Sequence, residues 1–305
     1  MKRDETGSRN AFIYLVTISV LSIALIVINA VLGRPLPFSV YFLIGYIGLL
    51  LLFVVWHATL TKGWKRSLVM FALSFFVAFT AEALGVNYGL VFGRYHYTGA
   101  LGIQLFGVPL LAALAWEPIL YAAFTITDIL APVIIDSANS WLKRLPSYIW
   151  MAIVGALATT AWDMMIDPIA VSQGWWVWTD GGAYAPYLKN GVPISNFLGW
   201  LTVAFLINLM YRLIVDAFPH PRRSLSLSIF GPLTLYASLF LTSFGVTVTI
   251  LLRPEVALIG LLAMGPFIAI AITNINLVQR GLATLLGAGW LDVDIKNQPI
   301  KDGNP

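Results

Sequence analysis

Five carboxylic acids lie inside stretches of sequence that are otherwise apolar. They are Glu82, Glu117, Asp128, Asp163 and Asp167. Burial away from water disfavours the charged form of a carboxyl, so we expect some of the five to be protonated at neutral pH. Ionisable side chains in membrane spans are costly and are candidates for function by default. A neutral acid held in an apolar site can donate a proton to a substrate, and that is the chemistry this set suggests.

The composition of the whole chain places these acids in a membrane protein. Of 305 residues, 59% are apolar and 10% are charged, and the net charge is +4. A soluble domain carries roughly a quarter charged residues, and its surface needs them. Cysteine is absent, which removes disulfides and thiol chemistry. These counts exclude a soluble enzyme, a nucleic-acid-binding module, a disordered chain and a secreted disulfide scaffold.

Eight apolar runs are long enough to cross a bilayer, and they predict an all-α, polytopic integral membrane protein. Fourteen of the 18 basic residues fall on the side of the two termini, which predicts cytoplasmic termini in the cell membrane. We treat residues 1–305 as a single membrane domain, with a core at 67–216, flanking helices at 11–60 and 225–275, and a tail at 276–305. The predicted spans are Ala11–Leu32, Ser39–Leu60, Ser67–Val86, Pro109–Ile135, Ser147–Ala170, Ile194–Val215, Leu225–Leu252 and Val256–Ile275.

Four of the five acids are predicted to share one layer beneath the outer surface. Glu82 lies about a turn from the outer end of the third span, and Glu117 lies about two turns below the start of the fourth. Asp163 and Asp167 are four residues apart, on one face of the fifth span. Asp128 lies deeper and is expected to be structural. We assign all basic residues to the loops and tails, including Arg212 at the inner end of the sixth span, so we expect none of the five acids to have a cationic partner.

Two stretches of the chain resemble each other and predict an internal repeat. Glu82 and Asp163 are each followed after 11 residues by glycine, and then by two aromatic residues in alternation and a threonine. A Gly-Val-Pro turn with tryptophan seven residues later completes each copy. The third and fourth spans would then be a parallel copy of the fifth and sixth, about an axis along the membrane normal. The matched residues are Tyr95, Tyr97, Thr98 and Trp116 in the first copy and Trp176, Trp178, Thr179 and Trp200 in the second.

The outer loops at 87–108 and 171–192 are rich in glycine and aromatic residues. Two interpretations are open. The aromatic residues suit an interfacial belt at the membrane surface. The alternating pairs also suit a short extended ribbon that caps the helices, with one aromatic face turned inward.

Other catalytic chemistries have little support in the sequence. The three histidines are far apart, and no nucleotide-binding or serine-hydrolase motif is present. Carboxylates alone could bind a hard cation, which is a weak alternative. Proton-coupled transport and protonation of an alkene remain. In the second reaction, aromatic faces stabilise the resulting tertiary cation, and a second carboxylate orients or deprotonates an attacking water.

The ordered motifs resemble a known family, the CruF-type carotenoid hydratases, which include carotenoid 1′,2′-hydratases and bisanhydrobacterioruberin hydratases. The first motif runs from Glu82 through Gly85, Gly89, Phe92-Gly93, Tyr95 and Tyr97 to the Gly-Val-Pro turn and Trp116. The second runs from Asp163 through Asp167-Pro168, Trp176 and Trp178 to Pro193, Asn196 and Gly199-Trp200. The resemblance covers about Thr80–Trp200.

The resemblance implies a membrane enzyme of carotenoid biosynthesis that adds water, without a cofactor, across the terminal C1–C2 double bond of an acyclic end group. The substrate would be a membrane-dissolved carotenoid of the lycopene, γ-carotene or bacterioruberin-precursor type. The partners would be the bilayer and other carotenoid enzymes, with no nucleic acid. We expect Asp163 or Glu82 to donate the proton and Asp167 or Glu117 to place the water. Asn196 could hold that water, and the pocket would be lined by Tyr95, Tyr97, Trp116, Trp176, Trp178 and Trp200.

Two other functions stay open from the sequence. A proton-coupled carrier of a small lipophilic molecule would also use buried acids and a parallel repeat, and it predicts helices broken at mid-depth. An acid-catalysed carotenoid cyclase would share the protonation step, but it would deprotonate the cation instead of trapping it with water.

Overall fold

The computed structural model describes residues 40–130, 141–180, 182–184, 191–218, 225–249 and 251–279. Within these ranges the chain forms seven helices, all long and apolar enough to cross a membrane. The protein is therefore an all-α multi-pass membrane protein, as predicted. The first predicted span and the tail beyond residue 279 lie outside the described residues. The helices are α1 (Val40–Lys62), α2 (Trp64–Tyr88), α3 (Leu110–Leu130), α4 (Trp141–Ser172), α5 (Ile194–Val215), α6 (Leu225–Thr249) and α7 (Pro254–Gln279).

The helix bounds follow the second to eighth predicted spans closely, and α5 coincides with its span. The largest difference is at α4, which begins six residues before the predicted Ser147. Hydropathy falls where charged residues such as Arg144 begin, but a helix continues through charged residues that face the membrane surface. The fourth predicted span is described as far as Leu130, and its remaining residues lie outside the described part of the chain.

A glycine ends α2 and turns the chain toward the first loop. Gly89 adopts a left-handed conformation, with φ of 70°, and its N–H donates to the carbonyl oxygen of Gly85 at 2.9 Å. Residues with a side chain rarely adopt this conformation, which is why glycine commonly ends a helix. The loop therefore leaves the helix immediately and folds back over the end of the bundle.

The two loops meet in an antiparallel pair of strands, which we call the ribbon. It consists of β1 (Arg94–Tyr97) and β4 (Trp176–Asp180). A second pair, β2 (Gln104–Leu105) and β3 (Val108–Pro109), lies between β1 and α3. Tyr95 and Trp178 are buried, whereas His96 and Val177 on the other face are exposed. Of the two interpretations of the aromatic loops, the capping ribbon with an inward aromatic face is therefore correct for these residues.

The strand register has the symmetry that the sequence repeat predicts. Equivalent positions in the two copies are 81 residues apart, so a two-fold axis must pair His96 with Val177 and exchange the flanking pairs. The observed pairs are His96 with Val177, Tyr95 with Trp178, and Tyr97 with Trp176.

The hydroxyls of two threonines at the ribbon repeat this symmetry. Thr98 Oγ1 donates mainly to the carbonyl oxygen of Gly174 at 2.6 Å and also lies 3.3 Å from that of Trp175. Thr179 Oγ1 donates to the carbonyl oxygen of Arg94 at 3.2 Å. The contacts with Trp175 and Arg94 are the equivalent ones. Donors and acceptors are each 81 residues apart. The helices agree with this arrangement, because α2 packs against α5 and α3 packs against α4. A pseudo-two-fold axis therefore relates the two copies at the ribbon.

The helix α3 lies at the centre of the bundle and is the most deeply buried of the seven described helices. It packs against α1, α2, α4, α6 and α7. Most of the buried apolar side chains form one cluster that surrounds it. The ribbon closes one end of this cluster, and we call that end of the bundle the ribbon end. The motif residues of both copies lie there.

Candidate active site

Glu82 lies near the end of α2 and accepts hydrogen bonds on both of its carboxyl oxygens. The hydroxyls of Tyr95 and Tyr97 both donate to Oε2, the second at 2.8 Å. The indole N–H of Trp116, on α3, donates to Oε1 at 3.0 Å. Glu82 is 6% exposed. Three donors converging on one buried carboxyl are an arrangement suited to its ionised form, because charge-assisted hydrogen bonds replace the water that burial removes.

The absence of a side chain at Gly85 allows Tyr95 to reach Glu82. A Cβ atom at Gly85 would lie 2.7 Å from Cε1 of Tyr95 and 3.1 Å from Cδ2 of Phe92. Real Cβ contacts are longer than that, so even alanine would displace the tyrosine ring. The spacing Glu82-x2-Gly85 in the motif therefore has a packing reason: the glycine clears the space that the phenol occupies.

The second copy contributes a pair of carboxyls instead of a single one. Asp163 and Asp167 lie one turn apart on α4, and their carboxyl groups are within hydrogen-bonding reach of each other. Asn196, on α5, donates from its Nδ2 to Asp163 Oδ2 at 3.0 Å and also to Asp167 Oδ2. All three side chains are buried. Two carboxylates so close together repel each other in an apolar medium, so the pair is suited to sharing a proton.

Four tryptophans connect the two copies in the wall of the site. Trp116 and Trp200 stack with ring centroids 3.7 Å apart, and Trp162 packs against Trp200 at 6.2 Å. At the ribbon, Trp178 packs against Tyr95 with centroids 5.6 Å apart. These rings lie in the wall of the site, and aromatic faces attract a positive charge.

These groups surround one cavity of about 160 Å³ at the ribbon end. Its walls include all seven residues predicted from the sequence to bind substrate. They also include Glu82 and Asp167, whereas Asp163, one turn away on the same helix, does not line the cavity and is fully buried. The predicted substrate-binding residues in the wall are Tyr95, Tyr97, Trp116, Trp176, Trp178, Asn196 and Trp200.

Glu117 does not lie with the other three acids around the cavity. It follows Trp116 by one residue, which is about 100° around the helix. Its carboxyl therefore faces the Ser74 hydroxyl and the backbone of Phe75 on α2. Glu117 has the expected depth, but it does not line the cavity, so this geometry gives no support to the expectation that Glu117 places water there.

Asp128 has two cationic partners, whereas the sequence predicted none. Its carboxylate bonds to Lys62 Nζ at 3.1 Å and to Arg212 Nη2 at 3.0 Å. Lys62 ends α1, and Arg212 lies in the last turn of α5, so both reach Asp128 from helix ends. The expectation of an unpaired acid is therefore wrong here, whereas a structural role agrees with this ion-paired geometry at the end of the bundle opposite the ribbon.

Several residues of the cavity wall were not selected from the sequence. Trp162 and Trp175 are each adjacent to a selected residue, and the Trp175-Trp176 doublet could have indicated the second of them. Tyr46, Thr242 and Ser243 come from α1 and α6, outside the repeat, and no motif marks them. Among the described residues, no three His, Asp or Glu side chains lie close enough together to hold a metal ion.

The fold and the site define a multi-pass membrane protein with buried acids around an aromatic-lined cavity. Comparison with protein families is more specific: the model for carotenoid biosynthesis proteins matches residues 37–266. The chain belongs to this family, and its role lies in carotenoid biosynthesis. No curated protein and no solved structure matches the chain significantly.

Proposed function

We propose that this protein is a carotenoid hydratase, which adds water across the terminal C1–C2 double bond of an acyclic carotenoid end and leaves a tertiary alcohol. One observation carries the proposal: two acids with different hydrogen-bonding environments, Glu82 and Asp167, line the same aromatic cavity. Hydration of an alkene needs both a proton donor and a proton acceptor at the reacting carbons. The enzyme would act in the cell membrane with both termini in the cytoplasm.

Asp167 is the proton donor in this proposal, and Asp163 is its reservoir. Asp167 lines the cavity, whereas Asp163 does not line it and is fully buried. One proton shared by the pair keeps a neutral carboxylic acid at the cavity wall. The Asn196 amide binds both aspartates, so we assign it as the positioning residue of the pair, in place of the water-holding role expected from the sequence.

Glu82 is the acceptor in this proposal. Its three hydrogen-bond donors support a carboxylate, which attracts the cation and takes a proton from the attacking water. Glu82 and Asp167 are close enough to interact electrostatically. A fixed negative charge beside an apolar cavity stabilises a nearby cation more strongly than the same charge does in water, because no solvent screens the interaction.

The reaction balances with these groups alone. Asp167 gives its proton to C2, and the π electrons of the C1–C2 bond form the new C–H bond, which leaves a tertiary cation at C1. The oxygen of a water molecule then bonds to C1, and Glu82 accepts the proton that this water releases. A proton passing from Glu82 back to the aspartate pair restores the starting state, so the net change is the addition of one water.

The aromatic wall supports the same step. The cation at C1 is a positive charge without a hydration shell, and the side chains of Trp116, Trp200 and Trp178 line the cavity in which it forms. A cation over an aromatic face is stabilised by roughly 2 kcal/mol or more when it is desolvated. The wall is also apolar enough to bind the hydrocarbon end of the substrate.

The two other functions make different predictions. A carrier of the kind considered above predicts helices broken at mid-depth. The described helices of both copies are continuous, although Pro118 lies inside α3 and Pro146 and Pro168 lie inside α4. A cyclase uses the same protonation, and only its product distinguishes it, since the cation loses a proton instead of binding water.

Pigment analysis tests the proposal directly. The full-length gene is expressed in a host that accumulates an acyclic carotenoid, and the pigments are separated and weighed by mass spectrometry. We expect a product heavier than the substrate by one water, carrying a tertiary hydroxyl. A product of unchanged mass with a cyclic end would instead identify a cyclase, and unchanged pigment with the protein present in the membrane would contradict catalysis.

A further inference from the structure

The cavity has two chemically different ends. One part of the wall holds Glu82 and Asp167, which are the acidic residues among those that line the cavity. A second part comes from α1 and α6, and its residues carry apolar and hydroxyl side chains. This second part of the wall includes Tyr46, Ile47, Leu50, Leu239, Thr242 and Ser243.

The helices α1 and α6 leave a gap beside this second end. The described part of α1 packs mainly on α2 and α3, and that of α6 packs mainly on α3, α4 and α7. Direct contact between α1 and α6 is slight. At the cavity the Tyr46 side chain interacts with that of Thr242, so these two residues connect α1 and α6 there. The gap therefore has α1 and α6 at its sides, and the buried helix α3, which packs against both, lies between them.

Within the part of the chain that the structure describes, the gap opens toward the lipid-facing surface of the bundle. Tyr46, Ile47 and Thr242 are all partly exposed although they line the cavity. Their neighbours Ile44 and Leu241 are 51% and 45% exposed, on helices long and apolar enough to cross the bilayer. Large apolar side chains with that exposure face hydrocarbon and not water in such helices.

We propose that this gap is a lateral mouth through which a long apolar chain extends from the cavity into the lipid, and that Tyr46, Ile47 and Thr242 are specificity-determining residues for that chain. A cavity of about 160 Å³ holds the end group of a carotenoid but not its whole polyene. The rest of the molecule must leave the protein, and an apolar chain leaves most favourably where no charge lines the way. Only the identity of the chain rests on the proposed function.

Bulky substitutions at the mouth test this inference by binding. Thr242→Phe and Ile47→Trp narrow the mouth from its two sides, and both positions are partly exposed, so extra bulk can be accommodated toward the lipid. Thr234→Phe is the matched control, because Thr234 is a partly exposed threonine on the same helix that does not line the cavity. Each variant and the native protein are placed in nanodiscs and titrated with an acyclic polyene, and binding is measured by quenching of tryptophan fluorescence.

Two ligands separate the mouth from the end-group site. One is a full-length acyclic carotenoid, and the other is a truncated polyene with the same end group. We expect both mouth variants to weaken binding of the long polyene by roughly tenfold or more while binding the truncated one as the native protein does. Retained binding of the truncated polyene also reports that a variant is folded.

The outcomes distinguish this inference from the proposed function. Equal binding of the long polyene by native protein, Thr242→Phe and Ile47→Trp would overturn the mouth, whatever the protein catalyses. A different result would support the mouth and refute the hydratase: the native protein binds the long polyene, both mouth variants lose that binding, and the native protein forms no hydrated product. If Thr234→Phe weakened binding as much as Thr242→Phe, the effect would be general to α6 and the mouth would be refuted.

Discussion

Trp116 and Trp200 stack face to face in the cavity wall, with planes only 11° apart, and they occupy matching positions in the two copies of the repeat. Their partners differ, however. Trp116 donates its indole N–H to Glu82, whereas no hydrogen bond from Trp200 to an acid is observed among the described residues. The repeat thus gives a symmetric arrangement of aromatic residues but an asymmetric set of acids. The first copy contributes one carboxyl, Glu82, and the second contributes the pair Asp163 and Asp167.

This difference predicts unequal effects of one substitution at two matched positions. Trp116→Phe keeps an aromatic ring but removes a hydrogen bond to a charged group, which is worth about 1.5–3 kcal/mol. We expect kcat to fall roughly ten- to a hundredfold. Trp200→Phe is the control and should reduce kcat much less, because it removes no donor to Glu82. Equal losses in the two variants would contradict the assigned role of the indole N–H.

Each acid of the proposed reaction should be indispensable. Glu82→Gln, Asp163→Asn and Asp167→Asn remove one proton-transferring group each and change little in volume, and we expect product formation to fall by about 10² or more in each. Membrane content of each variant is measured alongside, so that loss of protein is not mistaken for loss of activity. Normal product yield from both Glu82→Gln and Asp163→Asn would mean that the site is wrong.

Asp128 should matter for stability and not for chemistry. Asp128→Asn removes a carboxylate to which both Lys62 and Arg212 are ion-paired, and these two side chains are 7% and 4% exposed. Removing one member of a buried ion pair costs about 3 kcal/mol or more, and the partial exposure of Asp128 favours the lower value. We expect a lower thermal denaturation midpoint in detergent, with turnover per folded molecule nearly unchanged. A large loss of turnover at native stability would place Asp128 in the reaction.

Gly85 should be sensitive to a single methyl group. Gly85→Ala displaces Tyr95 from Glu82 and should lower activity while the protein remains in the membrane. Gly48→Ala is the matched control, since a Cβ atom there meets nothing within 4 Å among the described residues. Turnover per inserted molecule distinguishes the two. If Gly85→Ala were as active as Gly48→Ala, contact between Tyr95 and Glu82 would be unnecessary for activity.

The helices and the repeat could be predicted from the sequence because both depend on local patterns of residues. An apolar run of about 20 residues predicts a span without knowledge of its neighbours. The offset of 81 residues predicted the equivalence of Tyr95 with Trp176 and of Tyr97 with Trp178, and the strand register confirms it. Periodicity also placed Asp163 and Asp167 on one helix face, which the shared contact with Asn196 confirms.

The direction in which a side chain points, and its contacts with the ends of other helices, could not be predicted from the sequence. Glu117 has the predicted depth, but its side chain points to α2. In a helix that is apolar on all sides, a hydropathy pattern does not indicate which side faces which neighbouring helix. Asp128 is paired by Lys62 and Arg212 because side chains at helix ends reach inward along the helix surface. The part of the cavity wall formed by α1 and α6 likewise depends on how helices associate, which no motif records.

The most direct test of the central claim is the origin of the atoms that are added. Purified protein in nanodiscs is given an acyclic carotenoid in water labelled with deuterium and heavy oxygen, and the product is examined by mass spectrometry and NMR. The account predicts one deuterium on C2 and heavy oxygen in the tertiary hydroxyl at C1. Oxygen taken from dioxygen, a product without deuterium at C2, or a cyclic product without oxygen would contradict acid-catalysed hydration at this site.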